Sequence, residues 1–171
     1  MEQTQIIALL VHNYPGVLLR VTSLISRRGF NIDSLTVSPT VMSDYSRMTI
    51  RLRCSEDTET LNQFVYQFYK LPDVKKVEIL HEDSSVVCEL AMLKVRTDGQ
   101  NENKLLEITA KYHASVVDIG NTSMTFRASG TPAELDSLIE ELSDYEIMER
   151  VSTGLTSLQR GDDCLADKVF D

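Results

Sequence analysis

The sequence is poor in the residues that catalytic and metal-binding chemistry most often needs. Its three cysteines, Cys54, Cys88 and Cys164, are far apart and odd in number, so neither a disulfide framework nor a CxxC motif is present. Cys54 and Cys88 read as core or strand residues. The three histidines, His12, His81 and His113, share no ligand spacing of the HxxxH kind, and no metal site is expected. A GxSxG elbow, a Walker loop, GxGxxG and HExxH are all missing. The acidic pairs Glu82-Asp83 and Asp162-Asp163 adjoin polar stretches and read as solvated loops rather than as an acid/base couple. No catalytic residue is assigned.

Long apolar runs are also lacking: none approaches the roughly 20 residues that a membrane helix needs. The N-terminus has none of the basic, apolar and cleavage regions of a signal peptide, so a cytoplasmic protein without membrane contact is expected. Positive charge is scarce. A net charge of −9 argues against broad contact with nucleic acid. Its distribution is uneven: nine Lys and Arg face eight Asp and Glu in residues 1–80, and eight face eighteen in residues 81–171. Two units with different surfaces would account for this. With 171 residues, 42% of them hydrophobic, the chain can build one domain or two small ones.

What is present is an order of elements that occurs twice. Residues 5–11 are an apolar run of strand length, and Val17, Val21, Leu24 and Ile25 then recur at helical spacing. Pro15 suits the first helical position, and Gly29, after Arg27 and Arg28, suits the helix C-cap. Residues 31–38, closed by Pro39, read as a second strand. In residues 46–54 Met48, Ile50, Leu52 and Cys54 alternate with Arg47, Thr49, Arg51 and Arg53, which marks a third. Leu61, Phe64, Val65, Phe68 and Tyr69 form the stripe of an amphipathic helix, and residues 74–80 a fourth strand. The order β-α-β-β-α-β over residues 1–80 is a ferredoxin-like split βαβ unit.

After a polar junction the order recurs in residues 84–171. A strand over 86–96 leads to a helix marked by Leu105, Ile108, Thr109 and Tyr112, then to a hairpin across Gly120-Asn121. Thr131-Pro132-Ala133-Glu134 is a capping box that opens a helix bearing Leu135, Leu138, Ile139 and Leu142. Residues 146–151 close the unit, and a loop and fraying tail are expected beyond. The fold class read from this pattern is α+β, two tandem ferredoxin-like βαββαβ domains. Met48-Thr49-Ile50 is echoed by Met124-Thr125-Phe126 in the second.

The stretch most suggestive of function is the turn from the first strand into the first helix. Free N–H groups of the first helical turn, with the positive end of the dipole, suit a carboxylate. Gly16 leaves the backbone open there, and Asn13 can both donate and accept, as a zwitterion requires. Gly29-Phe30-Asn31-Ile32 lies at the other end of that helix, about 18 Å away. One small ligand touching both places needs a second subunit. From pattern alone, turn, cap and packing roles account for the same residues. Arg20 and Arg47 read as solvated, and the Arg47/Arg51/Arg53 face and the second helix are candidate docking surfaces.

The string Asn13-x-Pro15-Gly16-Val17-Leu18-x-Arg20-Val21, followed by Arg28-Gly29-Phe30-Asn31-Ile32-Asp33-Ser34-Leu35-Thr36-Val37 and Ser46-Arg47-Met48-Thr49-Ile50, closely resembles the regulatory small subunits of acetohydroxyacid synthase (acetolactate synthase). The likeness continues through Lys70-Leu71-x-Asp73-Val74, residues 89–94 and residues 154–161. The resemblance implies an ACT domain over 1–80 that binds an effector and forms a homodimer, and a C-terminal ferredoxin-like domain over 84–171 with a loop tail. It also implies no catalysis by this chain. The partner would be a large catalytic subunit carrying thiamine diphosphate, FAD and Mg²⁺. The effector would be a branched-chain amino acid, valine first, in valine, leucine and isoleucine biosynthesis.

Carried over by position, Asn13, Pro15, Gly16, Val17 and Leu18 would hold its charged groups, and Asn31 with Ile32 of a neighbouring copy would complete the site. Leu10, Val17, Ile32 and Val37 are candidates for its apolar wall. An ACT-type amino-acid sensor acting on transcription or signalling is the alternative, although the acidic second half suits phosphate binding poorly.

Overall fold

The computed structural model describes residues 3–54 and 58–166, which divide into two compact units. The first comprises Met1–Val86 with Leu155–Asp171, and the second Val87–Gly154. In the first unit β1 (Gln3–His12), α1 (Val17–Arg27), β2 (Asn31–Pro39), β3 (Tyr45–Cys54), α2 (Thr58–Phe68) and β4 (Val74–Leu80) follow in the expected order. The strands form an antiparallel sheet in the order β2-β3-β1-β4. Alternation in β3 sends Met48, Ile50 and Leu52 to one face, where they join Ile7, Leu9 and Val11 of β1, Val17, Val21 and Ile25 of α1, and Leu61, Phe64 and Phe68 of α2.

β1 is apolar at every position from Ile6 to Val11, and none of the six is more than 3% exposed. A strand covered on one face alternates, whereas an unbroken apolar run marks cover on both. Ile6, Ala8 and Leu10 point away from the helices, in register with Arg51, Thr49 and Arg47 of β3. The end of the chain covers them. Leu155 N–H donates to Ser34 Oγ (3.3 Å), Thr36 Oγ1 donates to the Leu155 carbonyl (3.3 Å), and Arg47 Nη2 donates to the Ser157 carbonyl (2.7 Å). Leu155, Ser157 and Leu165 are buried. β9 (Thr156–Gln159) pairs with β5 (Ser85–Arg96), whose first two residues belong to this same unit.

The tail therefore departs from the sequence expectation. Residues 155–166 pack with the first unit and include a strand, where a loop of the second domain was expected. The reason is the second apolar face of β1, which needs cover, while a four-residue strand is too short to display alternation. Arg47, expected to be solvated or available for docking, instead bonds the tail. The expected fraying concerns residues 167–171, which lie outside the described residues.

The second unit holds β5 from Val87 on, α3 (Glu102–Lys111), β6 (Ser115–Ile119), β7 (Ser123–Gly130), α4 (Pro132–Glu141) and β8 (Ile147–Ser152), in the strand order β6-β7-β5-β8. This is the order of the first unit, with each strand replaced by its counterpart. The irregularities recur too. Register shifts occur late in both first strands, at Leu10/Val11 and Lys94/Val95, and early in both second strands, at Ile32/Ser34 and Val116/Asp118. The capping box is formed: Thr131 N–H donates to Glu134 Oε2 (2.7 Å) and Glu134 N–H to Thr131 Oγ1 (3.3 Å). Leu105, Leu135, Leu138 and Leu142 meet Leu93, Val95 and Phe126 in the core. Cys88 lies on β5 but on its exposed side, and the side chain of Cys54 is outside the described residues.

Leu9 and Leu10 sit on opposite faces of β1, so both positions are core only if the tail is seated. Leu9→Ala and Leu10→Ala are each expected to cost about 2–5 kcal/mol in urea unfolding. A Leu10 variant near wild-type stability would contradict the seating of the tail.

Candidate functional site

The turn between β1 and α1 is pinned by backbone bonds. His12 N–H donates to the Asp73 carbonyl (2.9 Å) and Asn13 N–H to the Asp44 carbonyl (2.8 Å). Pro15 lies in the turn rather than at the first helical position, because Gly16 intervenes with φ +89° to redirect the chain. Only glycine adopts that backbone at little cost. As the helix N-cap, Gly16 brings no side chain, and the first turn of α1 has no acidic residue. The intrahelical ladder begins with Arg20 N–H to the Gly16 carbonyl (3.1 Å), and Val17 N–H reaches the Tyr14 carbonyl only at 3.5 Å. The first-turn amides thus remain available, with the positive end of the helix dipole behind them.

Asn13 Nδ2 donates to the Ser43 carbonyl (3.1 Å), which leaves Oδ1 as the acceptor. An acceptor beside a cluster of N–H donors is an arrangement that suits an ammonium and a carboxylate on one small molecule. Leu18, 43% exposed, contributes an apolar side chain at the same end. Val17 does not: its side chain is buried in the core, so only its backbone faces the turn.

Beneath the turn lies a polar clamp that the sequence reading missed. Tyr14 Oη donates to one oxygen of Asp73 and Arg20 Nε to the other. The Arg20 guanidinium also lies 5.8 Å from the Tyr14 ring centroid. Asp73 is 2% exposed, so its carboxylate is held by these partners in place of water. The Tyr14 hydrogen bond, and next that of Arg20, keep its carboxyl below the ordinary range, while Asp73 raises the Tyr14 phenol. His12 stacks on Tyr45 with ring centroids 5.0 Å apart. The one signal for this clamp was Asp73 itself, an acid placed directly before a buried strand.

The other predicted residues lie elsewhere. Asn31 and Ile32 open β2 at the far end of α1, an 11-residue helix about 16 Å long. Asn31 is exposed with Nδ2 directed to Asp33 Oδ1 (3.3 Å), and Ile32 is partly buried against the core. One chain therefore does not bring Asn31 to Asn13. Leu10 lies under the tail and is removed from the apolar wall, whereas Val37 is 43% exposed near the Pro39 end of β2. Among the described residues no cluster of three or more His, Cys, Asp or Glu is placed to hold a metal ion. No helix there is long and apolar enough to cross a membrane.

Known families account for both units. Residues 7–76 match the model described as "AHAS small subunit-like ACT domain", and residues 88–161 match "Small subunit of acetolactate synthase". The acetolactate synthase small subunit of Mycolicibacterium smegmatis is 43% identical over 158 residues, 92% of each chain. The chain belongs to the acetolactate synthase small-subunit family. A probable member from Methanothermobacter thermautotrophicus is 36% identical over 92% of this chain and 94% of its own. The crystal structure of the Thermotoga maritima small subunit superposes with a TM-score of 0.85 at 28% identity, covering 94% of this chain and 99% of that one. The second family model runs on to residue 161, so it takes in β9.

The Asp73 clamp has a definite pH signature. A carboxyl depressed in the folded state contributes stability above its ordinary value near 3.8, and that contribution is lost as pH falls through the lower folded value. Asp73→Asn is expected to be less stable than wild type at neutral pH, with the gap in thermal midpoint closing below about pH 4. A gap that persists in acid would contradict the clamp.

Proposed function

We propose that this small subunit regulates acetolactate synthase from the cytoplasm: it binds the catalytic large subunit, raises its activity, and imposes feedback inhibition by a branched-chain amino acid. Valine is the effector. It sits between the ACT units of two copies, its carboxylate on the first-turn amides of α1 and its ammonium at Asn13 Oδ1. Gly16, Pro15 and Leu18 shape that side. Asn31 and Ile32 of the second copy close it. The chemistry of the synthase, with its thiamine diphosphate, FAD and Mg²⁺, belongs to the large subunit.

The observation that carries this reading is the register of the first sheet. β2 and β1 both run antiparallel to β3, with Pro39 opposite Ser46 and His12 opposite Tyr45, so Asn13 lies at the Pro39 end of β2 and Asn31 at the other. A second copy added antiparallel along β2 brings its own Asn31 and Ile32 to the Asn13 end. The edges of the sheet favour this choice. At β4 the Tyr69 phenol accepts from Val77 N–H (3.1 Å) and donates to the Val77 carbonyl (3.2 Å), which occupies that edge. Among the described residues β2 is bonded to β3 alone in the sheet. Val37 and Leu18, both exposed in one chain, then become the apolar wall.

Inhibition follows if valine prefers one arrangement of the paired subunits over the one that supports the active synthase. Calorimetry on the full chain is expected to give saturable binding of valine, with leucine and isoleucine weaker. Asn13→Ala should weaken it by about tenfold or more, the loss of one hydrogen bond to a charged group. A folded wild-type dimer that binds none of the three would contradict the effector site.

A further inference from the structure

The tail that covers the second face of β1 is held through the strands that carry the proposed effector contacts. Ser34 and Thr36 lie on β2, two and four residues beyond Ile32, and Arg47 lies on β3 opposite Ser38 of β2. These three side chains make the bonds to Leu155 and Ser157. Immediately before Leu155 stands Gly154, with φ +79°, the last residue of the second unit. The tail is thus the point at which the chain, having built the second unit, is fastened to β2 and β3.

Opposed terms act on its seating. Leu155 and Leu165 are buried, as are Ile6, Ala8 and Leu10 of the face they share, which favours attachment. Against this, among the described residues Glu78 Oε2 and Ser157 Oγ are buried without hydrogen-bond partners, and both regain hydration if the tail lifts. Lys76 Nζ lies 2.7 Å from Glu78 Oε1, the other oxygen of that carboxylate, and the charge of Arg47 also acts on Glu78. Burial also pulls the Arg47 guanidinium below its ordinary value, so it too is better hydrated when the tail lifts. Opposed terms of this kind are what a two-state element requires.

We propose that residues 155–159 are the coupling strap of the subunit: occupancy of the effector site at β2 shifts the strap between seated and lifted states, and this carries the signal to the second unit. Ser34, Thr36 and Arg47 are positioning residues in this scheme, since they act through the tail and touch no ligand. The inference rests on the effector reading above. It goes beyond that reading in assigning the transmitting element and in separating binding from inhibition.

Two measurements test it. Hydrogen exchange on the full wild-type chain, with and without saturating valine, is expected to change the protection of amides 155–159 by about fivefold or more. Unchanged protection there, with valine bound, overturns the strap and leaves the effector site standing. In synthase reconstituted with the large subunit, Arg47→Leu and Ser34→Ala are expected to go on binding valine, with affinity changed by no more than about fivefold, while activity at saturating valine rises about fivefold or more. Wild-type inhibition in both variants overturns the proposal, as does a loss of valine binding by either variant. If the wild-type chain binds no valine at all, the effector reading fails and the strap falls with it.

Discussion

Burial of β1 on both faces is the constraint on which the rest of the first unit depends. Six consecutive apolar residues, Ile6 to Val11, occupy an inner strand, and water must be kept from both sides of it. α1 and α2 supply one cover and the end of the chain supplies the other. At about 1.5–3 kcal/mol for each large apolar side chain fully buried, both covers contribute to the stability of the unit. This explains why a chain that builds a second unit must return to the first. It also fixes the turn after His12, because a strand bonded on both edges delivers the chain to α1 from a fixed point.

The candidate site lies at the end of the unit that this rigidity fixes. Gly16 leaves the helix start without a side-chain cap, and Asp73 ties Tyr14 and Arg20 together beneath it. A free carboxylate this close to the helix start would compete for the first-turn amides. The two oxygens of Asp73 are instead engaged by Tyr14 and Arg20, so the first-turn amides stay open to an external anion. For the effector proposed above, such a turn is preorganised, with its polar groups oriented and the ordering cost met on folding.

Much of the fold was legible in the sequence because the periodicities were long and clean. The β3 alternation, the α2 stripe and the Thr131 capping box each predicted their element, and the repeated order predicted the repeated topology. The tail was not legible, since a four-residue strand carries too little pattern. The unbroken run at residues 6–11 did hold the missing signal, that both faces of β1 needed cover. Pro15 was misplaced by a general helix-start preference, which yielded to the positive φ at Gly16. Asn13 and Gly16 were singled out through turn chemistry, and the structure places both in the turn before α1. The Asp73 clamp was not, because its three residues are brought together only by the tertiary fold.

The central claim is that one effector site is built from two chains, Asn13 from one and Asn31 from the other. The most direct measurement is valine binding by a mixed dimer assembled from Asn13→Ala and Asn31→Ala chains. Each variant alone has both sites damaged. The account predicts that the mixed dimer regains one intact site, at half the wild-type stoichiometry and with wild-type affinity. A mixed dimer that binds no better than its parents would show that the two asparagines do not meet across the subunits, and would contradict the account.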